Sequence, residues 1–519
     1  MSAERGEHTV SLERLAEALA AVQRQCPELA VLAIPWMHLK HPVHPVQEAL
    51  LRGEGRGDGR LRRLVASLLY AGYYWGRLLG VHLRMRHELA ALKRQSFDFI
   101  AKSWSFGVGR SDREADFHYG DLQRRLGQRG VRVLLVYGNV WREGWTAFAK
   151  GCARAPLPRL SEMCLVPLAA PLRMLARQWR ASSRLRRLAA MTEDPLVKRI
   201  SLLASRDCLA PQTARGGVYF WIGQALVRAW RPRAVLTLYE SHGWEQALRW
   251  GIKTADPSCR TIGYQHVFIF PEARSMTRPP RPAGLPVHPD LVLCVGEVSR
   301  ERLRAGHEPY GTRLVRFGSF WHRPPAVARP VEASRRAILV VPESSPAESQ
   351  ALFRFADACA RRLSSYTFIL RCHPEFPMSR ALRLVSADLP RLPNVVLSER
   401  KVIEEDCARS SAVLYRGSSA VVYAILQGLL PIYVQLDRDD RDPLDGLPAW
   451  RVRCETPDGL AEILARHERA PTDRLEAAWQ AAVRYLDECT GPVTDESIEA
   501  LMEGAGLTEL ATVEGSPVR

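Results

Sequence analysis

No two cysteines in this chain are spaced as a CxxC pair, and the eleven present are scattered singly from Cys26 to Cys489. An odd count without zinc spacing or a secretory signal is expected to give reduced, mostly buried thiols in a cytoplasmic protein, with neither disulfides nor a metal site. A clean membrane-length apolar run is also missing. Residues 64–81 come nearest, but they are at the lower limit for a span and carry Arg77, which would be costly at a bilayer centre. A buried or interfacial helix is expected there instead. The chain has no internal repeat, no low-complexity tract and no recognisable DNA or RNA motif, so nucleic acid ranks last among its partners.

What is present is a basic, globular composition. At 519 residues the chain is too long for one ordinary core, and two medium domains with extensions are expected. Its 46% hydrophobic and 25% charged residues fall in the globular range. The formal charge of +17 and pI near 9.7 call for an anionic partner, such as nucleotide phosphates or a phospholipid surface. Arginine greatly outnumbers lysine, which fits either phosphate binding or a GC-rich genome.

Residues 1–95 read as a helical N-terminal extension, with an amphipathic helix over 10–25 and a Gly/Arg loop over 53–60. From residue 96 the pattern alternates strand and helix. Strands are expected at 97–104, 131–137, 234–238, 260–264, 291–295 and 312–317, and helices at 116–128 and 219–228. The loop 105–113, with Gly107 and Gly109, is either a ligand loop at a strand end or a mere connection. Residues 151–195 interrupt this rhythm and contain, over 172–188, a helix with Arg173, Arg177, Arg180, Arg184 and Arg187 on one face. Such a helix suits an anionic membrane surface or is simply a solvated face. A proline-rich linker over 321–330 leads to a second alternating domain over 331–500 and a tail over 501–519. The expected fold is therefore α/β: two Rossmann-like domains, 96–325 and 331–500, facing across a cleft, with the helical extension in front.

The second domain carries phosphate-binding logic. Arg371, His373 and Pro374 follow one strand-like run, while Arg416, Gly417, Ser418 and Ser419 lie between another strand and a helix. Backbone N–H groups, serine hydroxyls and an imidazole at neighbouring strand ends suit a nucleotide phosphate. Taken singly, His-Pro is also a common turn and Ser-Ser a common cap.

In their order and spacing, with Gly428 and Pro431 downstream, these motifs resemble the GT-B glycosyltransferases of bacterial surface-polysaccharide assembly. The likeness is to enzymes using CMP-activated acidic sugars, the sialyl- and Kdo-transferases, with the CDP-glycerol and CDP-ribitol polymerases as relatives. It covers roughly residues 96–470. In those families an HP and an SS motif bind the nucleotide, and His373-Pro374 and Ser418-Ser419 stand in the matching places. The resemblance implies a nucleotide-sugar donor, a glycan or lipid-linked acceptor, no cofactor, and a cytoplasmic enzyme working at the inner face of the plasma membrane. Segments 239–245 and 263–266 also resemble uncharacterised surface-carbohydrate biosynthesis proteins.

Transfer of this kind needs a base. Glu240, directly after a strand, is the candidate, although it is equally suited to cap the next helix. Glu245 is the reserve, and the related enzymes' acidic pair followed by glycine is replaced here by Glu240-Ser241-His242-Gly243. Gln265 and His266 are candidate contacts to acceptor or donor. Asp437-Arg438-Asp439 has the letters of a metal motif but sits in an acidic, arginine-containing loop, and no metal is expected. Two rival functions share the architecture or the absence of a clear base: a non-hydrolysing nucleotide-sugar epimerase, and a non-catalytic binding subunit of a polysaccharide-assembly complex.

Overall fold

The structure, a computed structural model, describes residues 10–32, 34–37, 45–52, 59–105, 115–139, 144–270, 273–279, 284–321, 323–328, 330–332, 335–343, 345–373, 376–386, 388–436, 442–447 and 449–511. Pro374, the loop around Gly107 and Gly109, and the acids Asp437 and Asp439 lie outside them.

The chain forms two compact units. In the first, seven parallel strands are built from β1 (Phe99–Ser105), β2 (Val133–Asn139), β3 (Arg159–Ser161), β4 (Ala234–Leu238), β5 (Arg260–Gln265), β6 (Leu291–Cys294) and β7 (Arg313–Arg316). Their order is β3-β2-β1-β4-β5-β6-β7. In the second, β8 (Ala337–Pro342), β9 (Thr367–Leu370), β10 (Val395–Leu397), β11 (Ala412–Arg416), β12 (Leu430–Val434) and β13 (Val452–Cys454) are ordered β10-β9-β8-β11-β12-β13. Each sheet grows outward on one side from its first strand and then restarts on the other. That reversal is the Rossmann-like pattern, and it opens a crevice at the strands' carboxyl ends where the direction switches. The switch lies between β1 and β4 in the first unit, and between β8 and β11 in the second.

Burial on both faces explains why the central strands are near-continuous apolar runs. Along β1 and β2 the side chains alternate between two cores. Ile100, Leu134 and Val136 enter one with the helices Leu12–Gln25, Arg60–Arg84, Ala170–Met191 and Tyr219–Trp230. Phe99, Ala101, Val133 and Leu135 enter the other, with Leu122, Leu126, Ile498, Leu501 and Met502.

Several expectations are corrected. Residues 1–95 are not a separate extension, because Leu15, Leu19, Val22, Tyr74 and Leu78 share a core with Leu134 and Val235. An amphipathic helix must bury its apolar face, and the face of the first sheet supplies the surface. The C-terminal helix Asp495–Ala505 likewise belongs to the first unit, which comprises Met1–His266, Ala273–Trp321 and Pro492–Arg519, while Val267–Glu272 and His322–Gly491 form the second. The helix expected over 116–128 begins only at Leu122. Asp116 instead accepts the backbone N–H groups of His118 (2.8 Å) and Tyr119 (2.7 Å) in a tight turn, the local bonding by which aspartate competes with helix. In the helix Ala170–Met191, Arg177 turns inward, 4.4 Å from the centre of the Phe220 ring, while Arg184 stays exposed and pairs with Glu28 at 3.4 Å.

Candidate functional site

In the first unit, β1 and β4 pair as far as Lys102 opposite Thr237, after which β4 follows β5, with the Tyr239 N–H donating to the Tyr264 carbonyl at 2.8 Å. Glu240 stands at the opening so formed. Its carboxylate accepts from His242 Nε2 at 3.1 Å, and His266 Nε2 lies 3.6 Å from its other oxygen. The side chain is 28% exposed. His242, not Glu240, is the N-cap residue of the helix Gly243–Ala255, so the carboxylate is not spent on that helix end.

The turn that presents Glu240 is strained, since Ser241 has φ +58°, a left-handed conformation unfavourable for a side-chain-bearing residue. Glu245 holds it there. From the first helical turn it reaches back past the N-cap to accept the N–H groups of Glu240 (3.1 Å) and Ser241 (3.1 Å), the two residues before it. Arg249 backs it at 3.5 Å, and its side chain is fully buried. Expected as a reserve base in a cleft, Glu245 is instead a support for the turn. Gln265 is also fully buried and accepts the Val295 N–H at 3.2 Å, a strand-end anchor rather than an exposed contact.

Residues that sequence reasoning passed over complete this site. His118 packs edge-on to His266, with ring centres 5.2 Å apart. Ser103 Oγ donates to Asp116 Oδ1 at 3.0 Å and lies 3.2 Å from His118 Nδ1. Because the hydroxyl has a single proton, its bond to Asp116 makes His118 Nδ1 the donor in the second contact. Burial, reinforced by the neighbouring His266, lowers the His118 imidazole to about 2, so the ring is neutral.

Lys102, the one charged residue among the apolar neighbours of its strand, is wholly buried. Its ammonium sits 3.0 Å from the Trp104 ring centre, 4.3 Å from Trp244 and 5.2 Å from Tyr219, with Glu162 at 3.6 Å. Burial lowers its amine to about 8. Glu162 also accepts the Tyr219 hydroxyl at 2.8 Å. Gly138 makes room for this enclosure, because a Cβ there would lie 2.3 Å from the Trp104 ring. Trp104, Trp244 and Trp321 remain partly exposed, the last 6.4 Å from His266 between ring centres.

In the second unit, Glu343, His373 and Gly417 follow the carboxyl ends of β8, β9 and β11, three adjacent strands at the switch point. Gly417 has φ +69°, a conformation that favours glycine, and a Cβ there would fall 2.6 Å from a Glu343 oxygen and displace that carboxylate. Ser418 is buried and Ser419 partly so; neither hydroxyl has a hydrogen-bond partner among the described residues. His373 is half-buried, and its carbonyl accepts the Phe376 N–H at 2.9 Å.

The two arginines expected beside a phosphate have partners inside the fold. Arg371 pairs with Asp406 at 2.6 Å and donates to the carbonyls of Arg400 (3.2 Å) and Lys401 (3.3 Å). Arg416 donates to Glu348 at 2.6 Å and to the Val434 carbonyl at 3.2 Å, with 1% of its side chain exposed. Each therefore ties a strand end to a neighbouring element and positions the turn after it. Among the described residues, no three His, Cys, Asp or Glu side chains converge as metal ligands.

No protein-family model matches the chain, and no curated protein matches it. It is similar to the solved kitacinnamycin glycotransferase, at 14% identity over 80% of this chain and 99% of that one, with a TM-score of 0.42. It is similar to the UDP-GlcNAc 2-epimerase of Methanocaldococcus jannaschii, at 9% identity over 75% and 99%, TM-score 0.39. A third likeness is to the α,α-trehalose 6-phosphate synthase of Burkholderia multivorans, at 10% identity over 82% and 99%, TM-score 0.45. Likeness at this level says nothing of the chemistry, which rests on the residues of the two sites.

Proposed function

We propose that the protein is a glycosyltransferase of the GT-B type, moving a sugar from a nucleotide-activated donor held by the second unit to an acceptor hydroxyl held by the first. The observation that supports this most is the pair of chemically different sites at the two switch points. One has a carboxylate between imidazoles, ringed by partly exposed tryptophans. The other has an imidazole, a turn through a glycine at positive φ, and two hydroxyls with no hydrogen-bond partner among the described residues. Glu240 removes the acceptor proton, and the His242 N–H bonded to its second oxygen orients it. As the acceptor oxygen bonds to the anomeric carbon, the bond to the nucleotide phosphate breaks and its electron pair leaves with the phosphate. Ser418 and Ser419 donate hydrogen bonds to that phosphate, and His373 donates from the neighbouring strand end. The faces of Trp104, Trp244 and Trp321 suit a glycan, as aromatic linings with few polar groups generally do. A CMP-activated acidic sugar is the favoured donor, on the likeness of the His373-Pro374 and Ser418-Ser419 motifs, and a surface-polysaccharide or lipid-linked intermediate is the favoured acceptor.

Thermal-shift measurements with CMP, CDP, UDP and GDP test the donor, since a ligand of the folded state raises its melting temperature. CMP or CDP should raise it, and a rise with UDP alone would overturn the donor assignment. His373→Ala and the double variant Ser418→Ala/Ser419→Ala should melt normally in the absence of nucleotide yet lose the shift and the transfer. Full activity in either removes those residues from the site. Conversion of a free UDP-sugar without any acceptor would replace the transferase with an epimerase.

A further inference from the structure

Half of the large apolar side chains exposed among the described residues stand on one helix, Arg60–Arg84. They run along its outer face from Leu61 and Val65 through Leu68, Leu69 and Tyr73 to Leu83, with Leu61 75% and Leu69 72% exposed. The opposite face, with Ala71, Tyr74, Leu78 and Val81, is buried in the first unit. A surface helix ordinarily turns polar side chains outward, so one that is apolar on both faces calls for a cover.

Charge says what the cover is. The helix contains five arginines and no acid, and neither does the helix Ala170–Met191 packed beside it, which has six arginines. Arg62, Arg77 and Arg84 on the first helix and Arg173, Arg180 and Arg187 on the second are exposed. Arg60 links the two by donating to Ser182 at 3.1 Å and lying over Trp179, itself 51% exposed. A second copy of the chain would set this basic rim against itself, whereas an anionic lipid surface neutralises it. Tyr73, Trp75 and Trp179 are the residue types that settle at headgroup depth. Among the described residues no helix is long and apolar enough to cross a membrane, so the arrangement is one that lies in the interface.

We propose that the outer face of helix Arg60–Arg84, with the adjoining Leu172 and Trp179, docks the protein on an anionic bilayer. This docking does not depend on the transferase function, but it bears on the acceptor. On the buried side Tyr74 packs edge-on to Trp145, ring centres 5.1 Å apart, and its hydroxyl lies 3.6 Å from the Met163 sulfur. Met163 adjoins Glu162, the partner of Lys102. The lipid-facing helix thus backs directly onto the aromatic site of the same unit, where a lipid-linked acceptor would be presented.

The test is flotation of the full chain with vesicles of phosphatidylcholine alone or mixed with phosphatidylglycerol. Binding is expected to the mixed vesicles only, and to weaken with salt. Leu68→Glu/Leu69→Glu should lower the partition by about a hundredfold, since two exposed leucines lose their burial. Arg62→Gln/Arg84→Gln should lower it about twenty-five-fold, at about fivefold per arginine near an anionic surface, and flatten the salt dependence. Both variants alter only exposed positions and should keep the wild-type melting curve and nucleotide response. Undiminished binding by the leucine variant, or binding equal on neutral vesicles, overturns the proposal. So does a wild-type dimer in light scattering that the leucine variant dissociates, which would assign the face to a second copy.

Discussion

Lys102→Met tests whether the amine buried among aromatic rings gives up its proton near pH 8, although it also leaves the buried Glu162 without its cation. In the native first unit the ammonium is cut off from water, with Trp104, Trp244 and Tyr219 around it and Glu162 at 3.6 Å. Desolvation is the largest influence, and the amine falls from an ordinary 10.5 to about 8. Below about pH 8 the amine is charged in both states, and the folded protein bears the full burial cost. Between about 8 and 10.5 the unfolded chain keeps the proton that the native site has released. The unfolded state then binds more protons, so stability rises with pH across this window. At 1.36 kcal/mol per pH unit the gain is about 3 kcal/mol. Methionine has a similar length and no charge, and in the variant Glu162 retains the Tyr219 hydroxyl. Denaturant unfolding followed by tryptophan emission, at about pH 7.5 and about pH 10, should show the stability difference between wild type and Lys102→Met moving by about 2.4 kcal/mol, most of that gain, in favour of wild type at the higher pH. Tyrosine and cysteine titrations common to both chains cancel in that difference. If it stays constant within about 0.5 kcal/mol, the amine titrates as an exposed lysine would, and its enclosure by aromatic rings is refuted.

Glu240→Gln keeps the shape of a partly exposed side chain while removing its basicity, so initial rates should fall by at least about a hundredfold with the nucleotide KM unchanged; a rate within about twofold of wild type would take the base role from Glu240. Arg416→Met should leave Glu348 buried without its cation and cost about 3–5 kcal/mol, seen as a depressed melting temperature. A variant that melts normally but binds nucleotide poorly would return Arg416 to direct contact with ligand.

The strands were legible because parallel strands buried on both faces must be apolar for their whole length, as Val133–Tyr137 and Ala337–Val341 are. The edge strands Arg159–Ser161 and Val452–Cys454 were not. Three residues carry no periodicity, and each owes its conformation to the longer neighbour it pairs with. His373 announced itself as a polar residue between a strand end and a proline, and the serine pair as polar residues after a strand end and a glycine, Gly417. Lys102 left only a weak signal, one charge inside the apolar run of β1.

Composition and local pattern by themselves determined the class of fold, the alternation of strand and helix, and the places where polar residues leave the strands. Those features depend on neighbours in sequence. Tertiary structure decided how each polar residue is used, since a charged group after a strand suits a ligand or a fold partner equally well. Asp406 meets Arg371 from 35 positions away, and Glu348 meets Arg416 from 68, which makes both arginines supports. His266 reaches Glu240 only because β4 and β5 are adjacent, and that adjacency places a carboxylate between two imidazoles.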